Sequence, residues 1–210
     1  MESSSLILFI CLVAPLGMMF FLTRGPSRTT VAFLLLGIFM CLFAGEIDGY
    51  LYNRCAMEYY SFTVNITPLV EELLKALPII LFALYGAPER QLLLACSVAT
   101  GVGFATLENM LVLFTASSAP TLQYALARGL GAGLMHGIAT FVVGLVLSLC
   151  AGNRKLAFTG TVAALSAAML YHSVFNIIVQ SAHSIVALLL PLATFALLQT
   201  VFLIRSKRAR

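Results

Sequence analysis

Charge is what this sequence has least of. Only 10% of its 210 residues are Asp, Glu, Lys or Arg, against roughly 25% in a soluble domain. With 61% hydrophobic residues and a mean hydropathy of +1.02, that shortage excludes a soluble globular fold. The composition predicts an all-α, polytopic transmembrane helix bundle. It reads as one integral membrane domain over residues 1–210, with no stretch long enough for a separate soluble domain. Paired cysteines are also missing. Cys11, Cys41, Cys55, Cys96 and Cys150 are scattered without a CxxC, which argues against a disulfide framework or a redox centre. No HExxH occurs, so no spacing is specific for a zinc protease. The flank of the first apolar run, MESSS, has no Lys or Arg and lacks the basic start of a secretory signal. The net charge of +4 does not point to nucleic acid, because the basic residues sit in short loops and in the tail.

What is present is a series of apolar runs of membrane-spanning length. They fall at residues 6–22, 31–47, 66–85, 91–115, 124–150, 156–180 and 185–204, so about seven spans are expected. Residues 48–65 read as a tyrosine-rich outer stretch, either an interfacial belt or a lip that receives substrate. Alternate loops lie on one side of the membrane. Arg24, Arg28, Arg90, Arg154, Lys155, Arg205, Lys207, Arg208 and Arg210, nine of the twelve Lys and Arg, share a side. The positive-inside rule then places the N-terminus outside and the C-terminus in the cytoplasm.

The third span, ITPLVEELLKALPIILFALY, is the anomaly. Each ionisable group at the centre of a membrane helix costs about 2.5–3.5 kcal/mol on insertion scales, yet this span holds Glu71, Glu72 and Lys75. On a helix Lys75 lies one turn beyond both glutamates and can neutralise one of them. The other must find a partner elsewhere. Glu108 and Asn109 sit near the outer end of the fourth span, Arg128 and His136 in the fifth, His172 and Asn176 in the outer half of the sixth. All the strongly polar intramembrane groups therefore share one depth, while the inner halves are apolar. In the fifth span Ala125, Gly129, Gly133 and Gly137 predict a small-residue packing ridge. Arg128, Ala132, His136 and Thr140 form the ridge beside it.

If all are ionised, Glu71, Glu72 and Glu108 outnumber Lys75 and Arg128 by one charge. A shared proton, a protonated His or a metal ion would relieve it. A buried carboxylate beside a like charge can serve as a general base near neutral pH, with Glu71 the preferred base of the pair. His172 and Asn176, on one helical face, could donate to an oxyanion, and His136 could assist the water. Lys75 and Arg128 read as charge-balancing groups. No cofactor is favoured, but zinc stays open, with Glu72, Glu108, His136 and His172 as candidate ligands. The residues fit an intramembrane endopeptidase that uses a Glu-activated water. The competing readings are an ion- or proton-coupled transporter and a non-catalytic scaffold. A transporter should show inverted repeats and polar groups that continue to the inner side, and the sequence has neither.

EELLK at 71–75, GVGFATLEN at 101–109, Arg128 with His136 eight residues on, and HSVFN at 172–176 together resemble the PrsW family of intramembrane proteases. That family is distantly similar to the CAAX prenyl proteases and their bacterial relatives. The resemblance covers about residues 68–180 and implies a catalytic core over 66–180. It implies that Glu71 and Glu72 are the catalytic pair and His172 an essential partner, with Glu108, His136 and Asn176 lining the same site. It further implies cleavage of a membrane-tethered regulatory protein, such as an anti-sigma factor, at the extracytoplasmic face of a prokaryotic cell membrane. It is compatible with a glutamic or a metallo mechanism. The lipid bilayer and a membrane protein substrate are the expected partners, with the oligomeric state left open.

The basic-loop asymmetry gives a direct test. A reporter fused after Arg210 should read as cytoplasmic, and an extracytoplasmic signal would overturn both the orientation and the common outer depth.

Overall fold

The computed structural model describes residues 18–115, 121–181 and 184–208. Among these residues the protein is all-α, with no strand. The elements are α1 (Gly25–Arg54), α2 (Tyr59–Asn65), α3 (Thr67–Leu81), α4 (Arg90–Thr115), α5 (Leu122–Leu126), α6 (Gly133–Leu149), α7 (Arg154–Val179) and α8 (Leu189–Arg208). A π-helical turn, Phe82–Gly86, continues α3. A second, Ala127–Ala132, joins α5 to α6, and a 3-10 turn, Ser184–Leu188, leads into α8. Four helices are long and apolar enough to cross a membrane: Gly25–Arg54, Arg90–Phe114, Leu122–Leu149 and Lys155–Val179. Ile185–Val201 is apolar but shorter. The expected first span, residues 6–22, lies mostly outside the described residues, as does the turn expected at 117–121 apart from Thr121.

α3 occupies the centre and touches α1, α4, α6 and α7. Its sequence explains why. Leu69, Leu73, Leu77 and Leu81 recur every four residues and are all exposed, whereas Pro68, Glu71, Glu72, Lys75, Ala76 and Ile79 are buried. The helix is therefore amphipathic with its polar stripe inward, the reverse of a soluble surface helix. A leucine stripe faces outward at low cost only when the solvent is lipid. Pro68 starts the helix at its first turn, where a missing N–H costs nothing. Pro78 lies inside it and removes one ladder hydrogen bond shortly before the π-helical turn.

Three apolar clusters pack the described residues. Phe33, Ala76, Ile79, Leu93, Cys96, Ala99, Val143, Leu147 and Ala164 pack together at one end. Ile38, Cys41, Ala44, Phe104 and Leu107 form a second layer between α1 and α4. On α1 and α4 this layer separates the first cluster from Asp48 and Glu108. A third cluster, Ala127, Ala132, Met135, Phe175, Val179 and Ala187, packs beside the polar groups.

Two expectations need correction. The second span does not end at residue 47. α1 runs on through Asp48 to Arg54, and α2 takes up Tyr59–Asn65. The buried stripe Gly37, Cys41, Ala44 simply continues one turn to Asp48. The small-residue ridge of the fifth span is also broken, because the π-helical turn Ala127–Ala132 adds a residue per turn and shifts its phase. A side chain at Gly129 or Gly133 would meet nothing nearby. Arg128, Ala132, His136 and Thr140 are all buried.

Close backbone approach is concentrated elsewhere. A methyl at Gly37 would strike the backbone of Thr100, one at Gly103 that of Leu34, and one at Gly101 that of His136. These glycines let α4 nest between α1 and α6. Gly45, on the same helix as Gly37, has open space. Gly37→Ala should therefore destabilise by roughly 1–3 kcal/mol from overpacking, while Gly45→Ala is neutral or slightly stabilising. Thermal unfolding in detergent, followed by labelling of the buried thiols Cys41 and Cys96, reads the difference. Equal stability of the two variants would rule out the nested packing.

Candidate active site

The inward stripe of α3 begins a continuous polar chain. The Lys75 ammonium is fully buried and donates to Glu72 Oε1 at 2.5 Å and to His136 Nδ1 on α6 at 2.5 Å. An ammonium can only donate, so His136 Nδ1 accepts and its proton sits on Nε2. Nε2 faces Glu108 Oε2 on α4 at 2.6 Å, and Glu108 Oε1 accepts from Arg128 Nη2 at 2.5 Å. At the other end, Glu72 Oε1 also faces His172 Nδ1 on α7 at 2.8 Å. The two imidazoles meet edge to face, with centroids 4.8 Å apart. Three elements outside α3 are thus tied to it or to one another by charged hydrogen bonds that no water competes for.

Glu71 is different. Its side chain is buried, yet Oε2 has no hydrogen-bond partner. The nearest polar group is His172 Nε2 at 3.8 Å. His172 spends its Nδ1 proton on Glu72, so Nε2 presents a lone pair. Two acceptors therefore face one another across that gap. Glu72 and Glu108 are each held by two partners. Both bonds to Glu72 fall on its Oε1, and among the described residues of this cluster Glu71 Oε2 is the buried carboxylate oxygen without a partner.

A cavity of about 790 Å³ opens beside these groups and is lined by Glu71, Glu108, Arg128 and Asn176. Asn176 donates one amide N–H to the Thr63 carbonyl at 3.0 Å. The Arg128 Nε is buried without an acceptor. The structure thus brings together Glu71, Glu72, Lys75, Glu108, Arg128, His136 and His172, with Asn176 on the wall of the same cavity. Tyr52, from the tyrosine-rich stretch expected to be a belt or a lip, also lines it, as do Asp48 and Thr63, which were not singled out from the sequence. The signal for Asp48 was the buried periodicity of α1, which reaches it.

A family model described as PrsW family intramembrane metalloprotease matches residues 25–204. The chain belongs to the PrsW family. It is an integral, multi-pass membrane protein of an intramembrane protease family. Neither a curated protein nor a solved structure matches it.

The family description raises the question of a metal. Glu71, His136 and His172 are buried and each offers one ligand atom, all within 4.8 Å of one another. A Glu/His/His set is the donor chemistry of catalytic zinc sites, and the free oxygen of Glu71 fits it. The set differs from the one expected from sequence, because Glu72 and Glu108 are already taken up by cations and imidazoles. His136 would have to exchange either Lys75 or Glu108 to join it.

The polar chain predicts a strong thermodynamic coupling. Lys75→Met leaves Glu72 without its cation, and breaking a buried pair from one side costs about 3–5 kcal/mol. The double variant Lys75→Met with Glu72→Gln should recover part of that loss in thermal unfolding. Additive losses would show that the two side chains do not depend on each other.

Proposed function

We propose that this PrsW-family protein is an endopeptidase that uses a water held between Glu71 and His172. The observation that carries this reading is the pair of acceptors, Glu71 Oε2 and His172 Nε2, facing each other at 3.8 Å, with Glu71 on the cavity wall. A water there donates one hydrogen to each. Glu71 takes a proton as the water oxygen attacks the scissile carbonyl, then delivers it to the leaving amine. His172, fixed by its bond to Glu72, orients the water. Its only ring proton goes to Glu72, so the oxyanion donors are better sought in the remaining amide N–H of Asn176 and in Arg128 Nε–H. When bound, a zinc ion would be held by Glu71, His172 and His136 and would supply Lewis-acid activation.

The substrate on this reading is a membrane-tethered protein, and an anti-sigma factor is the class that the family resemblance suggests. Seven spans, an outside N-terminus, a cytoplasmic C-terminus and a prokaryotic cell membrane complete the proposal, supported by the distribution of Arg and Lys. Cleavage would then occur in the outer half of the bilayer, within the core at residues 66–180. A transporter fits less well. The polar chain stops at an apolar cluster and gives no relay to the other face.

Glu71→Gln keeps the shape and removes the base. It should reduce cleavage of a membrane-tethered substrate by at least ~10²-fold and leave thermal stability unchanged, because Oε2 has no partner to lose. Asn176→Ala should cost less activity. Full activity of Glu71→Gln would end the mechanism. A chelator should leave the metal-free reaction intact. Loss of activity that zinc restores would make Glu71, His172 and His136 ligands instead.

A further inference from the structure

The cavity has an unbalanced lining that the chemistry above does not use. Among its described lining residues the ionisable acids are Asp48, Glu71 and Glu108, and Arg128 is the one permanent cation. Arg128 is already bonded to Glu108. Asp48 and Glu71 are left, and each has a buried carboxylate oxygen without a partner. Thr67, on the first turn of α3, lies beside Asp48 on the cavity wall, next to the last turns of α1. Tyr52 lies one helical turn beyond Asp48, packs edge to face on Tyr59 at 5.6 Å, and both rings line the cavity. A carboxylate with an unused oxygen beside two aromatic rings matches a long cationic side chain. The charge finds its counter-ion and the methylene stem lies against the rings.

We propose that the Asp48 end of the cavity is a specificity subsite for a Lys or Arg side chain of the substrate. This rests on the protease reading for the identity of its occupant. Helix geometry sets the distance. Thr67 and Glu71 are one turn apart on α3, about 6 Å. An extended peptide covers that in about two residues at ~3.3 Å each. The basic residue therefore lies within about two positions of the bond that is cleaved. Asp48 acts here as a specificity residue and takes no part in bond breaking.

The test is binding, so that it does not depend on cleavage. Three fluorescent, apolar helix-forming peptides differ at one central position: Lys, norleucine or Glu. Their affinities for the purified full chain in detergent are read by anisotropy. The Lys peptide should bind about ten-fold tighter than norleucine, and the Glu peptide weakest. Asp48→Asn should abolish the preference for Lys while leaving the norleucine affinity unchanged. Equal binding of the Lys and norleucine peptides to the unaltered protein would overturn the subsite, and that comparison needs no variant. A Lys preference that survives Asp48→Asn would overturn it too. An Asp48-dependent preference in a protein that cleaves none of the peptides would support the subsite and count against the protease reading alone.

Discussion

The structure depends on one buried ammonium. Lys75 has no exposure at all, and the effective penalty for placing a charge there is several kcal/mol. The face of the Phe104 ring, 4.8 Å from Nζ, offsets a small part of it. The rest is offset by two short bonds, one within α3 to Glu72 and one across to His136 on α6. His136 is then obliged to present Nε2–H, which meets Glu108, and Glu108 needs Arg128 for its second oxygen. Glu72 likewise fixes the proton of His172. The position of one cation thereby sets the tautomers of two imidazoles and the register of α3, α4, α6 and α7.

The same chain explains why the free carboxylate is Glu71. Counting formal charges in the sequence leaves one acid uncompensated and cannot say which. Lys75 stands within reach of both glutamates on helical spacing. The fold resolves this because Glu72 points along the stripe shared with Lys75 and His172, while Glu71 is rotated by about 100° towards the cavity. On the proposed mechanism the base is Glu71, whose buried Oε2 the network leaves without a partner.

Four of the expected spans, those at 31–47, 91–115, 124–150 and 156–180, were legible because hydropathy measures a transfer cost that each residue bears largely on its own. The gathering of Glu71, Glu72, Lys75, Glu108, Arg128, His136 and His172 was legible for a related reason. Polar groups cannot be left in lipid, so they must meet one another at whatever depth they share. Three features were not legible. Glu46 and Asp48 read as the end of a span, whereas α1 carries Asp48 inward and passes on to Arg54. The π-helical turn Ala127–Ala132 shifts phase within a segment whose glycines read as packing residues, so a ridge drawn at every fourth residue failed at Gly129 and Gly133. The choice of partners inside the cluster depends on helix rotation, which spacing along one chain does not contain.

A hydrolase inside a membrane faces two opposed demands. It must admit water to a peptide bond, and it must not conduct protons or ions. The layering of this bundle answers both. Tyr52, Tyr59 and Gln180 line the cavity and are exposed, so water enters at that end. Beyond Lys75 the helices close on Ala76, Ile79, Leu93, Cys96, Ala99, Val143 and Leu147, where the Cys96 thiol, a weak donor, is the one polar side-chain group. Ser97 and Thr100 lie at that level, but each returns its hydroxyl to its own helix, to Leu93 and Cys96. The polar chain is therefore a dead end. Its charges are spent on holding helices together, and the glycine contacts at Gly37, Gly101 and Gly103 leave no room for a file of water past them.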